Sequence, residues 1–130
     1  MATLTPTLTL VSTDATADEL NFSVTDSLTV TSPSIGLSRA TAPSGSGNAV
    51  TLVPSLDARR YLYVKHTGVD SGGSTVTTEV YVETSGGAWF SKLAAGEFLL
   101  MPINANGAQL IQCRATSGTV VVEYAYWTKS

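Results

Sequence analysis

Apolar and polar residues alternate along the first dozen positions of the chain. Threonines occupy every second position, and leucines lie between them at Leu4, Leu8 and Leu10. A period of two is typical of a β-strand, so the pattern predicts an extended arm or edge strand over residues 1–18. Pro6 has no N–H to donate to a ladder, so this strand lies at a sheet edge of its own domain or adds to the sheet of a neighbouring chain.

The remaining residues, 19–130, carry eight or nine short apolar runs with turn signals about every ten positions. Two of these signals are Thr25-Asp26-Ser27, which predicts a bend, and Ser117-Gly118, which predicts a tight hairpin between the last two strands. Short strands at this spacing predict a single all-β domain, an antiparallel β-sandwich with a jelly-roll-like arrangement.

Four further local patterns give structural expectations. The Ser, Gly, Pro and Ala-rich segment 32–48 predicts the longest loop, and Thr16 and Glu19 have the spacing of a capped helical turn. Val76–Glu83 alternates as a half-buried strand whose charged side faces water. The unbroken apolar run Glu97–Ile103 predicts a strand that is buried on both faces.

Composition narrows the possible functions. The chain has 130 residues, enough for one domain, and only 13% of them are charged. Its seven Lys and Arg residues are scattered and its net charge is −3, which argues against a nucleic-acid partner. No apolar run approaches the ~18 residues that cross a bilayer, and the amino terminus does not resemble a secretion signal. We therefore expect synthesis in a cytoplasm and no membrane partner.

Catalytic and metal-binding residues are few. A hydrolase would have to use His66, the single histidine, with a serine or with Cys113, the single cysteine. We expect His66 to be a structural imidazole at a strand end and Cys113 a small buried apolar residue. Asp14, Thr16 and Asp18 alternate as in a calcium loop, but the glycine and closing glutamate of such a loop do not follow. No catalytic, cofactor or metal site is expected.

The aromatic residues are the more informative group. In a small sandwich they serve the core or a subunit interface, and exposed aromatics beside neutral polar residues also suit sugars. The candidate interface residues, including the leucines of the arm, are Leu4, Leu8, Leu10, Tyr61, Tyr63, Tyr81, Tyr126 and Trp127.

Three segments in the second half of the chain resemble segments of a known class of proteins. They are residues 61–68 (YLYVKHTG), residues 89–97 (WFSKLAAGE) and residues 115–124 (ATSGTVVVEY). Over residues 60–127 the chain resembles the small β-rich virion proteins of tailed bacteriophages, a class that includes capsid decoration proteins and components of tails and fibres.

The resemblance implies a location in the virion and a structural function. A decoration, or cement, protein would form a homo-oligomer, for which we favour a trimer, and would bridge subunits of the major capsid protein or other virion proteins. The alternative that it implies is a tail, neck or fibre component, with a glycan-binding role for some of the aromatics. The small hydrolase built on His66 is the third hypothesis.

Overall fold

A computed structural model describes residues 2–54, 58–105 and 109–130, and this part of the chain is all-β. Its strands, numbered in chain order, are β1 (Ala2–Leu4), β2 (Thr7–Ser12), β3 (Leu20–Thr25), β4 (Leu28–Pro43), β5 (Val50–Val53), β6 (Ala58–His66), β7 (Val80–Thr84), β8 (Trp89–Leu93), β9 (Phe98–Ala105), β10 (Ile111–Ala115) and β11 (Thr119–Lys129).

The strands form two main antiparallel sheets and one separate hairpin. The five-stranded sheet has the order β1-β4-β11-β6-β9, and the four-stranded sheet has the order β5-β10-β7-β8. Strands β2 and β3 pair only with each other. The predicted all-β, antiparallel, sandwich-like fold is confirmed.

Alternate side chains of the strands build the core. Fully buried pairs come from β6 (Leu62 and Val64), from β7 (Val80 and Val82) and from β11 (Val120 and Val122). Because successive residues of a strand point to opposite faces, these positions face inward and their neighbours face outward. Full burial of such a side chain contributes ~1.5–3 kcal/mol, so this alternation determines which face of each strand packs inward.

The β1–β4 and β2–β3 pairs form one ladder that is interrupted at residues 5–6 and 26–27. Leu4 pairs with Leu28 and Thr7 pairs with Thr25, so the same register runs through both strand pairs. The Asp26 N–H donates to the Pro6 carbonyl at 3.0 Å between them. We call the distal part of this ladder, residues 7–25, the arm hairpin; the boundary expected near residue 18 falls in its loop.

The segment predicted as the longest loop is mostly strand. β4 continues to Pro43, and from Val30 onward it pairs with β11, with two register irregularities on the way. The prediction was wrong because small residues such as Ala40 and Ala42, which have weak strand preference, are held by a strongly apolar partner strand. Strand preference depends on such neighbours more than on the residue itself.

The hairpin predicted at Ser117-Gly118 is also wrong. The turn is present, and Gly118 has a φ of 59°, which a residue without a β-carbon adopts readily. However, β10 pairs with β5 and β7, whereas β11 pairs with β4 and β6, so the turn joins the two sheets. Local turn chemistry predicts a change of direction but not the partner of the strand that follows.

Three shorter expectations complete the comparison. The bend at Thr25-Asp26-Ser27 is confirmed, since it separates β3 from β4. The helical turn near Thr16 and Glu19 was wrong: these residues form the non-helical loop of the arm hairpin. The strand expected from Val76 begins at Val80, and its Glu83 is fully buried rather than in water.

Candidate interaction surface

The outer face of the five-stranded sheet brings together several of the candidate residues. Trp127 on β11 lies opposite Tyr61 on β6, and Tyr63 on β6 lies opposite Leu100 on β9. All four alternate with core residues such as Leu62, so their side chains point away from the core. This face therefore carries aromatic and apolar groups where a solvent-facing sheet usually carries polar ones.

A groove of about 300 Å³ runs across this outer face, and we call it the outer groove. Its lining residues come from all five strands of the sheet and from the segment after β1; they are Leu4, Pro6, Leu37, Tyr63, Leu100, Glu123 and Trp127. Leu4 belongs to one edge strand and Leu100 to the other, so the sheet is curled enough for both edges to border one concavity. The lining is apolar apart from one carboxylate.

That carboxylate, on Glu123, accepts a hydrogen bond from a tyrosine of the same groove. The Tyr63 hydroxyl donates to Glu123 Oε1 at 3.3 Å, and the Tyr61 hydroxyl donates to Asp26 Oδ2 at the same distance. Loss of solvent around each ring, followed by the charge of its carboxylate, raises the pKa of both tyrosines above the ordinary value. Both phenols therefore remain neutral hydrogen-bond donors over the physiological pH range.

The arm hairpin has one polar and one apolar face. On the polar face, hydroxyl pairs join the strands at 2.9 Å (Thr7 and Thr25) and 3.1 Å (Thr9 and Ser23). The opposite face carries the large apolar side chains Leu8, Leu10, Leu20, Phe22 and Val24. Four of these are between 42% and 56% exposed, which is unusual for a cluster of large apolar residues.

Two other candidates lie elsewhere. Tyr81 is on the four-stranded sheet, where its ring stands 5.4 Å from that of exposed Trp89 and has the Arg114 guanidinium 4.5 Å from its centroid. Tyr126 is buried in the core, with Arg60 over its ring at 5.6 Å. The structure thus brings Leu4, Tyr63 and Trp127 into one groove but places Tyr81 and Tyr126 outside it.

The two residues considered for catalysis are both buried. The His66 Nδ1 accepts from the Gly68 N–H at 2.9 Å, and its Nε2 donates to the Thr78 carbonyl at 2.6 Å, so both ring nitrogens are engaged by backbone. Cys113 is fully buried as expected; burial, and secondarily the charge of Glu83, raise its pKa to about 12. Neither side chain presents a reactive atom to solvent.

Sequence reasoning missed several surface residues. Leu37 is 64% exposed and lies in the segment that was predicted to be a loop. Phe98 and Leu100 are exposed because β9 is an edge strand with one free face, so the prediction of burial on both faces was wrong. Phe22 and Val24 alternate visibly in the sequence, and that alternation was the signal for the apolar face of the arm hairpin.

Within the described ranges, no group of three or more His, Cys, Asp or Glu side chains is placed to hold a metal ion. The same ranges contain no helix with the length and apolar character to span a membrane. No family model, curated protein or solved structure matches this chain.

Proposed function

We propose that this chain is a structural protein of a bacteriophage virion, and specifically a capsid decoration protein. The observation that carries the proposal is the exposed apolar surface formed by the outer groove and the arm hairpin, on a chain with only 13% charged residues. Contiguous apolar surface of this kind is typical of proteins that act by binding other macromolecules. The resemblance of residues 60–127 to virion proteins gives the class of partner.

The mechanism that we propose is adhesion through several copies. A homo-oligomer, for which we favour a trimer, contacts several subunits of the major capsid protein at once. Linked contacts of modest individual strength then give an overall affinity well above that of one contact, because the later contacts form at high effective concentration. Such a bridge opposes separation of the capsid subunits without any chemical step.

The alternative of a small hydrolase receives little support from its own residues. The His66 ring uses both nitrogens in hydrogen bonds to backbone, and the raised pKa of Cys113 keeps its thiol protonated. A nucleophile and its base need access to a substrate and to each other. The adhesive function requires neither.

The experiment that tests the proposal is co-sedimentation with capsids of the phage that encodes this chain. We expect the purified protein to pellet with expanded capsids, to remain in the supernatant without them, and to saturate at a fixed number of copies per capsid. Failure to bind expanded capsids, at protein concentrations well above those of capsid subunits, would overturn the decoration function.

A second candidate function is supported by the aromatic pair on the four-stranded sheet. Trp89 is 56% exposed and is tilted against Tyr81, and an exposed ring beside hydrogen-bonding cations suits the apolar face of a sugar. This arrangement favours a tail, neck or fibre component that binds a glycan. Glycan-array binding that is lost in Trp89→Ala, but kept in Phe90→Ala next to it, would support this function in place of decoration.

A further inference from the structure

We propose that copies of this chain assemble by exchange of the arm hairpin: the apolar face of one hairpin lies in the outer groove of the next copy. Each copy then supplies one hairpin and one groove. The inference goes beyond the proposed function, since it names the residues of self-association and requires neither a capsid nor a glycan.

The arm hairpin lacks a core of its own. An isolated two-stranded ribbon is marginally stable in water, and it gains stability when an apolar face is covered. In the described chain, the core cluster draws no residue from β2 or β3. Nevertheless one face of the hairpin carries Leu10 and Phe22, and the other carries paired hydroxyls. This division into two faces is typical of a ribbon that lies on another surface.

The apolar face continues the surface of the outer groove. Residues paired across a ladder share a face, as do residues two positions apart, and the register is unchanged from Leu4 to Leu10. Leu4 lines the groove, so Leu8, Leu10 and their partners point to the same side of the ladder. The Tyr61–Asp26 hydrogen bond fastens the base of the hairpin to this side of the sheet.

One surface is a projection and the other a concavity, and both belong to the same chain. The hairpin is a narrow projection of six residue pairs, ~20 Å long from the rise of a strand, and the outer groove is an open concavity. Each copy in such an assembly takes part in two contacts, one through its hairpin and one through its groove.

Charge complementarity favours a second copy as the occupant. The loop of the arm hairpin is acidic, with Asp14, Asp18 and Glu19, and the first 38 residues contain no Lys or Arg. On the outer face, next to the groove, Glu123 of β11 lies between Arg39 of β4 and Lys65 of β6, its partners in the two neighbouring strands. Neither cation forms an ion pair with a described residue. A docked hairpin brings its acidic loop toward these cations.

The contact joins two different surfaces, so it is heterologous. A series of such contacts forms a closed ring when the rotation from copy to copy leads back to the first copy. A ring of three copies, the oligomer that we favour for the decoration protein, satisfies this condition. Every hairpin and every groove is then covered, and exposed apolar residues outside both surfaces, such as Trp89 and Phe90, remain for contact with a capsid.

The first test is the mass of the protein in solution, measured by light scattering after size exclusion. For the unmodified chain we expect a mass of two or more times the 13.5 kDa of one copy. Leu10→Ser with Phe22→Ser should raise the dissociation constant at least ~100-fold, because two large apolar side chains lose their cover. Val11→Ser is the matched control, since Val11 is exposed on the opposite face of the same hairpin. A monomeric unmodified chain at ~100 μM would overturn the proposal.

The second test combines two defective variants. Leu37→Asp with Leu100→Asp alters the outer groove and leaves the hairpin intact, so this variant alone should be monomeric. Mixed with the hairpin variant, it should form a heterodimer, because one partner has a working hairpin and the other a working groove. Two defective variants that stay monomeric on mixing would contradict exchange, and so would a hairpin variant with unchanged mass.

Folding of the variants is checked separately from assembly. The altered residues lie outside the core, so the protection of Cys113 from thiol reagents should match that of the unmodified chain. A variant that loses this protection is replaced by a milder change, Leu10→Thr or Leu100→Thr, and measured again. All of these measurements are made without capsids, so failure of hairpin exchange and failure of capsid binding are distinguishable.

Discussion

At the scale of single residues, the least expected feature is a buried carboxylate between the strands of the smaller sheet. Glu83 on β7 accepts from Arg114 Nε at 3.0 Å and from Gln112 Nε2 at 3.3 Å, both on β10. The guanidinium also lies over the Tyr81 ring. A buried charge is tolerated when it is paired and hydrogen-bonded, and it is costly when its partner is removed.

We predict that Arg114→Met lowers the free energy of unfolding by ~3 kcal/mol, because it leaves the Glu83 carboxylate buried without its cation. Urea denaturation followed by tryptophan fluorescence measures the change. Lys92→Met is the matched control, since Lys92 on β8 forms an exposed ion pair with Glu79, just before β7, and should shift the midpoint little. If the two substitutions lower the free energy of unfolding equally, the burial of Glu83 does not explain the contribution of its ion pair to stability.

Cys113 gives a prediction about pH. Its folded-state pKa is raised to about 12 from an ordinary value of 9.0, so the unfolded chain loses this proton at lower pH than the folded one. The thiol's contribution to stability is therefore fully present below pH 9 and is lost as pH rises from 9 toward 12, by at most ~1.4 kcal/mol per pH unit.

The measurement is the free energy of unfolding at several alkaline pH values, for the chain and for Cys113→Ala. The variant should be less stable overall because it leaves a cavity, but its stability should fall less steeply above pH 9. Tyrosine ionisation contributes to both curves, and the difference between them isolates the thiol. Parallel curves would contradict the assigned origin of the raised pKa.

At the scale of strands, the sequence predicted alternation well and pairing poorly. The faces of β6, β7 and β11 follow from local periodicity, which burial enforces residue by residue. The extent of β4 and the partner of β10 do not, because they depend on strands that arrive from far along the chain. Glu83 illustrates the same limit: its burial is possible only because Arg114, 31 residues later, lies beside it.

The outer groove was predictable only in part, because it also combines local periodicity with pairing between distant strands. Leu4, Tyr63 and Trp127 were identified from alternation and aromatic character. Leu37 was missed because its neighbours have weak strand preference, and Leu100 because an edge strand with a continuous apolar run looks like a buried one. Which apolar residues remain exposed depends on how the sheets assemble, and local sequence patterns do not contain that information.

We predict that the arm hairpin is dispensable for folding of the two main sheets. Residues 7–25 can be replaced by Asn-Gly, which joins Pro6 to Asp26, since these two are already neighbours in the ladder. The shortened chain should keep its free energy of unfolding within ~1 kcal/mol, because the removed segment buries no core residue.

Chemical denaturation of the shortened chain measures this, and Val64→Ala in the full-length chain is the comparison. Val64 is fully buried, so its truncation should cost ~2 kcal/mol or more. If the shortened chain is less stable than Val64→Ala, the arm hairpin is part of the folding unit rather than an appended element.

At the scale of the whole molecule, the proposals join a surface for self-association to a surface for a capsid. A chain with few charges and a net charge of −3 gains little from long-range attraction, so its adhesion depends on contact area and on the number of linked copies. An oligomer held by hairpin exchange provides such linkage. Loss of exchange should then weaken capsid binding even when the capsid-facing residues are unaltered.

The corresponding prediction concerns Leu10→Ser with Phe22→Ser on capsids. Because a monomer forms one contact where an oligomer forms several, the variant should bind expanded capsids ~10²–10⁴-fold more weakly than the unmodified chain. Titrated co-sedimentation measures this, with Val11→Ser as the control that keeps full affinity. A monomeric variant that binds as tightly as the unmodified chain would show that one copy suffices for decoration, and that the oligomer has another purpose in the particle.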